Sequence, residues 1–130
     1  MKNFSILLVG LVVSLSCIAA AQKIDAQKWL KDFREAKDKT RDAIFITKLE
    51  KRLEHAQILR NLELRAQKLF GQDMVFSDCA IAAINLSHVW QNEIQLLNKS
   101  DNVTLGGLTN VAFETGQYYG YCRDVIDGIK

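Results

Sequence analysis

Leu108, Val111, Thr115, Tyr118, Cys122, Val125 and Ile129 follow one another at steps of three, four, three, four, three and four residues. That rhythm keeps all of them on one face of an α-helix and scatters them over both faces of a strand, so the spacing predicts a helix from about Leu108 to Ile129. It also sets a cysteine inside the apolar stripe. Whatever covers that face must therefore come within reach of a thiol. The chain has 130 residues and no proline. All-β domains usually place proline at edges and turns, so its absence favours helices throughout.

Three more helices follow from the same reasoning. The first is expected from about Asp25 to Lys39, with Ala26, Trp29, Leu30, Phe33 and Ala36 as its core stripe. The second is expected from about Asp42 to Phe70, with Phe45, Leu49, Leu53, Ala56, Leu59, Leu62, Ala66 and Leu69 on one face. Asp42 suits an N-cap, and Gly71 suits the residue after a helix end. At ~1.5 Å per residue this would be a rod of ~42 Å, long enough to pair with a second copy of itself. The third is expected from Asp73 or Ser77 to about Leu97, and its start, SDCAIAAIN, is rich in alanine. Between the third and fourth lies NKSDNVTLGG, Asn98 to Gly107, a cluster of turn-forming residues.

The fourth helix carries Gly116 and Gly120 next to its apolar stripe. Each costs about 1 kcal/mol relative to alanine in a helix interior. The expectation is that Ala112, Gly116 and Gly120 form a bare strip on which the thin start of helix three (Ala80, Ala82, Ala83) packs closely, as small-residue strips do between helices in lipid.

The N-terminus reads as a secretory signal peptide. Lys2 supplies the positive start, Ile6 to Ala20 the apolar stretch, and Ala19 and Ala21 the small residues before a cleavage point at Gln22. The alternative is a membrane anchor, but the apolar run is shorter than the ~20 residues a spanning helix needs. Cys17 lies inside this segment. The expected organisation is a signal peptide over 1–21 and a single helical domain over 22–130, with no stable membrane insertion once the signal is removed. Export leads to an oxidising compartment, where the two remaining cysteines, Cys79 and Cys122, are read as a disulfide. If helices three and four form an antiparallel hairpin turning near Asn102, Cys79 lies 23 residues before the turn and Cys122 lies 20 after it. Both occupy apolar stripes, so the sulfurs meet within about a turn. The fold class is therefore all-α: a small four-helix bundle with one disulfide, Cys79–Cys122.

Charge is uneven. Residues 22–72 hold 13 Lys and Arg against 8 Asp and Glu, and residues 73–130 hold 3 against 7. The basic half interleaves acids at helical spacing (KDFREAKDKTRD, KLEKRLEH), which is the pattern of a solvated helix face rather than a nucleic-acid surface. His55 and His88 have no ligand or base partner at i+4, and the two Cys and two His match no zinc spacing. No phosphate loop is present, because Gly106-Gly107 lacks the rest of that pattern. These observations argue against an enzyme, a metal site, a cofactor and a nucleic-acid partner.

Three tyrosines, Tyr118, Tyr119 and Tyr121, fall within four positions of the last helix. Tyr118 belongs to the core stripe, so Tyr119 and Tyr121 turn partly outward, where tyrosine favours protein interfaces or else covers the flanks of neighbouring helices. The binding surface expected here comprises Tyr119, Tyr121, Arg123 and Asp124, with His88. Sequons at Asn85, Asn98 and Asn102 would carry glycans in a eukaryotic host, while the alanine-rich cleavage region and few cysteines favour a Gram-negative periplasm.

The stretch GYCRDVIDGI, Gly120 to Ile129, fits G-[YF]-C-x-x-x-[IV]-x-G. It resembles the C-terminal helix of periplasmic immunity proteins that neutralise type VI secreted peptidoglycan amidases. The resemblance implies a small exported helical protein that plugs a toxin's active site and performs no chemistry. The expected function is thus a periplasmic or secreted immunity or inhibitor protein that docks on a hydrolase. The alternatives are a structural protein that forms homo-oligomers through the second helix, and a secreted eukaryotic effector or ligand carrier.

Overall fold

A computed structural model describes the backbone of residues 3–71, 74–98 and 105–129, with side chains from Gln22 onward apart from positions 75 and 105. The elements are α1 (Asn3–Thr40), α2 (Ala43–Thr47), α3 (Leu49–Phe70), a 3-10 turn (Met74–Phe76), α4 (Ser77–Leu97) and α5 (Leu105–Asp127). Every described element is helical, and α4 packs on all the other α-helices, most extensively on α5.

The helix count is five where four were expected, because the second helix breaks at Lys48. Lys48 is extended, with φ −90° and ψ 120°. Asp42 caps α2 as expected, its carboxylate accepting from the Ile44 amide at 3.0 Å. The break has a packing cause. It turns Ile46 inward, leaving it 6% exposed, and lays Phe45 against the His55 ring at 5.5 Å between centroids. Leu49 and Leu53, expected in the core stripe, instead stand 69% and 65% exposed. The ~42 Å rod is therefore not formed; α3 alone has 22 residues, or about 33 Å.

Other boundaries shift for local reasons. Helix α1 runs as one helix from Asn3, well before Asp25, and ends at Thr40. The expected signal segment, 1–21, lies outside the described side chains; Ala26 is the first core residue among those described. Gly71 is right-handed (φ −68°, ψ −11°) and is itself the C-cap, donating its amide to the Gln67 carbonyl. A Cβ there would collide with that same oxygen, so glycine is required by close approach rather than by a left-handed backbone. Ser77 is the first residue of α4 rather than its cap; Phe76 occupies the cap position with no side-chain bond. Asp73 and Asn102 lie outside the described residues. Gly106 and Gly107 belong to α5 itself.

The core joins Trp29, Phe33 and Ala36 of α1, Leu59, Leu62 and Phe70 of α3, Cys79, Ala82, Ala83 and Leu86 of α4, and Cys122 and Ile126 of α5. Cys79 and Cys122 are bonded, with their Cα atoms 4.8 Å apart.

The disulfide pairing holds, but the bare strip beside it does not do what was expected. A Cβ built at Gly116 or at Gly120 meets nothing within 4 Å, so neither glycine permits a close helix approach. Helix α5 meets α4 through Cys122, and near its start Ala112 and Thr115 share a small pocket with Leu86 and Val89. Gly116→Ala and Gly120→Ala should therefore each raise stability by about 1 kcal/mol through helix propensity alone. Calorimetry of the single variants checks this; a lowered melting temperature would show that the positions are sterically closed.

Candidate functional site

The buried disulfide sets the rotational phase of α5. With Cys122 held against α4 at 0% exposure, neighbours at ~100° per residue are forced to other sides. Tyr121 is consequently 54% exposed. Arg123 and Asp124 are exposed too and bind each other, Arg123 donating Nη2 and Nε to Asp124 Oδ1 at 2.8 and 3.1 Å. That hydrogen bond and the adjacent negative charge hold the guanidinium pKa above its ordinary value, so Arg123 is a fixed cation. The pair lies in water and contributes little to stability.

Tyr119 takes the other course open to it. Its ring stacks on Phe33 at 5.0 Å and 12°, its hydroxyl accepts from Arg34 Nη2 at 3.2 Å, and the Lys37 ammonium lies 5.8 Å from its centroid. Tyr119 thus clasps α5 to α1. His88 is exposed on α4 but is nine residues from Cys79, about half a turn out of phase, and so faces away from α5. The structure joins Arg123 to Asp124 and sets Tyr121 one turn before Asp124, but Arg123 lies about 160° round the helix from Tyr121, and His88 stands apart on α4.

One residue of this face went unnoticed in the sequence. Phe113 is 65% exposed. It shares an arc of about 100° with Gln117, Gly120, Tyr121 and Asp124, with Gly116 at the edge. Its signal was available, since Phe113 falls between the stripe residues Val111 and Thr115 and so points away from them.

Two open grooves lie elsewhere. One, about 230 Å³ between α1 and α3, is bridged by Arg65 and Asp32 at 2.5 Å. The other, about 190 Å³ between α3 and α4, is lined by Arg60, Glu63, Trp90 and Gln91, with the Ser87 hydroxyl donating to Glu63. A hydroxyl–imidazole pair does exist in the fold: Thr40 Oγ1 lies 3.0 Å from His55 Nε2. Both residues are buried, at 1% and 0% exposure, and the Thr40 hydroxyl donates to the Ala36 carbonyl, so neither group meets solvent as a nucleophile or base must. Among the described residues no cluster of three or more His, Cys, Asp or Glu could hold a metal ion, and no helix is long and apolar enough to cross a membrane. Comparison of the chain with protein-family models, with curated proteins and with solved structures finds no match in any of the three.

Proposed function

We propose that this chain is an exported, non-enzymatic binding protein of the immunity or inhibitor type, which docks on a periplasmic or secreted hydrolase through the outer face of α5. The observation that carries this reading is the pairing of two exposed aromatic side chains, Phe113 and Tyr121, on a helix whose opposite face is anchored by a buried disulfide. Large aromatics on a rigid element are favoured anchors because they bring much contact area at small entropic cost. Gly116 and Gly120 leave backbone open beside them, and Arg123 and Asp124 supply a charged rim. The resemblance of Gly120–Ile129 to immunity proteins supports the same face and the same class of partner.

The test is inhibition. The mature chain is used to capture a hydrolase from envelope extract, and the hydrolase is then assayed with and without it. Saturating chain should silence the enzyme, and Tyr121→Ala should weaken binding roughly 30-fold, the loss of a ~2 kcal/mol anchor. Full hydrolase activity at saturation, or unchanged affinity in a Phe113→Ala/Tyr121→Ala double variant, would refute the proposal.

A second reading has an observation of its own. Ile44 of α2 and Leu49 and Leu53 at the start of α3, exposed at 45%, 69% and 65%, leave apolar surface unburied and available for self-association. Sedimentation of the mature chain and of Leu49→Lys distinguishes the two readings.

A further inference from the structure

His55 is the only titratable side chain among the described residues that is fully buried outside the disulfide. Four helices meet around it. Thr40, the last residue of α1, gives its single hydroxyl proton to the Ala36 carbonyl at 2.9 Å. Its oxygen must therefore accept from His55, and the network assigns the ring proton to Nε2. Nδ1 is left as a buried lone pair without a protein partner. From α2, Phe45 lies 5.5 Å away, and from α4, Trp90 sits edge-on at 5.5 Å with its own Nε1 also buried and unpartnered. The imidazole is thus walled by two aromatic rings and one hydroxyl.

We propose that His55 is an acid-operated latch: the neutral ring holds α2 against the bundle, and a second proton on Nδ1 releases α2, uncovering Phe45 and Ile46 beside the exposed Ile44, Leu49 and Leu53. The geometry says why α2 yields first. It has five residues, too few to persist as a helix without tertiary contacts. Extended residues, Asp42 and Lys48, flank it on both sides and serve as hinges. Helices α4 and α5, by contrast, are covalently joined.

The charges around the ring give the latch its direction. Burial pulls the His55 pKa down to about 4, and the Lys39 ammonium at the end of α1 pushes the same way. Glu54, on α3 itself, opposes them, but its carboxylate is bound to Lys51 at 2.6 Å. Helices α2 and α4 offer the ring Phe45 and Trp90, which do not titrate. Released into water, the imidazole regains its ordinary pKa of about 6.5. Above that pH neither state takes the proton. Between about 6.5 and 4 only the open state does, so opening grows as pH falls; below about 4 both do and the effect levels off. From pH 7.5 to pH 5 the opening equilibrium should rise roughly 30-fold.

Hydrogen exchange of the mature, disulfide-bonded chain at these two pH values, corrected for intrinsic rates, tests this. The Ile44, Phe45 and Lys48 amides should lose protection roughly 30-fold while the cores of α4 and α5 keep theirs. In His55→Phe the pH dependence should vanish; His88 is present in both proteins and cannot account for the difference. Equal α2 protection at the two pH values, or an unchanged pH dependence in His55→Phe, overturns the latch. Should that variant fail to fold, ring titration of the wild type by NMR decides. A midpoint well below 6.5 that coincides with α2 release supports the proposal, and one near 6.5 with α2 still protected overturns it.

Discussion

The Cys79→Ala/Cys122→Ala double variant is expected to melt well over ten degrees below the wild type, as is the wild type in strong reductant. The bond closes a loop with a sequence separation of 43, worth about 3–4 kcal/mol in the chain-entropy account. At roughly 4 °C per kcal/mol for a domain of this size, that is a shift of about 12–16 °C. Without the bond, helix α5 is held by its packing on α4 and by the stacking of Tyr119 on Phe33. Its buried residues among those described are Leu108, Thr115, Cys122 and Ile126, and Gly116 and Gly120 weaken it by ~2 kcal/mol without close packing in return. Loss of the crosslink should therefore release α5 before the α1–α3–α4 body, and the outer aromatic face with it. Circular dichroism melts with and without reductant provide the measurement. A melting temperature within two or three degrees of the wild type would mean that packing alone holds α5.

What could be read in advance follows from what periodicity encodes. The three-four stepping of α5 reports which side chains share a face, and burial of Leu108, Thr115 and Cys122 agrees with it. The Cys79–Cys122 pairing was legible because two helices of similar length around one loop bring equidistant positions together. Periodicity does not report which of two faces meets a neighbour. Gly116 and Gly120 also repeat at helical spacing, yet they face open space. Nor does it register a tertiary decision. Phe45, Leu49 and Leu53 continue the rhythm of α3 with no glycine or proline at position 48, and only the burial of Ile46 and the contact of Phe45 with His55 explain the break there. The candidate face divides the same way. Tyr121 follows from its phase relative to Cys122, whereas the engagement of Tyr119 by Phe33 and Arg34 depends on how α1 crosses α5, which the chain's local pattern does not contain.

Trp29→Ala is expected to cost about 3–5 kcal/mol, as much as the disulfide or more. Trp29 has no exposed surface, and its indole Nε1 donates to the Leu62 carbonyl at 3.0 Å, tying α1 to α3. Its ring lies 5.3 Å from Phe33 and 5.4 Å from Phe70. Phe70 in turn meets Phe76 at 5.3 Å, and Phe33 stacks on Tyr119. The five rings therefore form one chain from the 3-10 turn through α3 and α1 to α5, with Trp29 at its centre. Deleting the central ring removes two aromatic contacts and opens a cavity that backbones held by four helices cannot collapse to fill. Trp29→Phe can keep part of both ring contacts but loses the Leu62 bond, so about 1–2 kcal/mol is expected there. Urea unfolding followed by circular dichroism measures both variants. Near-equal losses would assign the stabilisation to the hydrogen bond instead of the rings, and a loss under about 1 kcal/mol for Trp29→Ala would show that the five rings do not act as a unit.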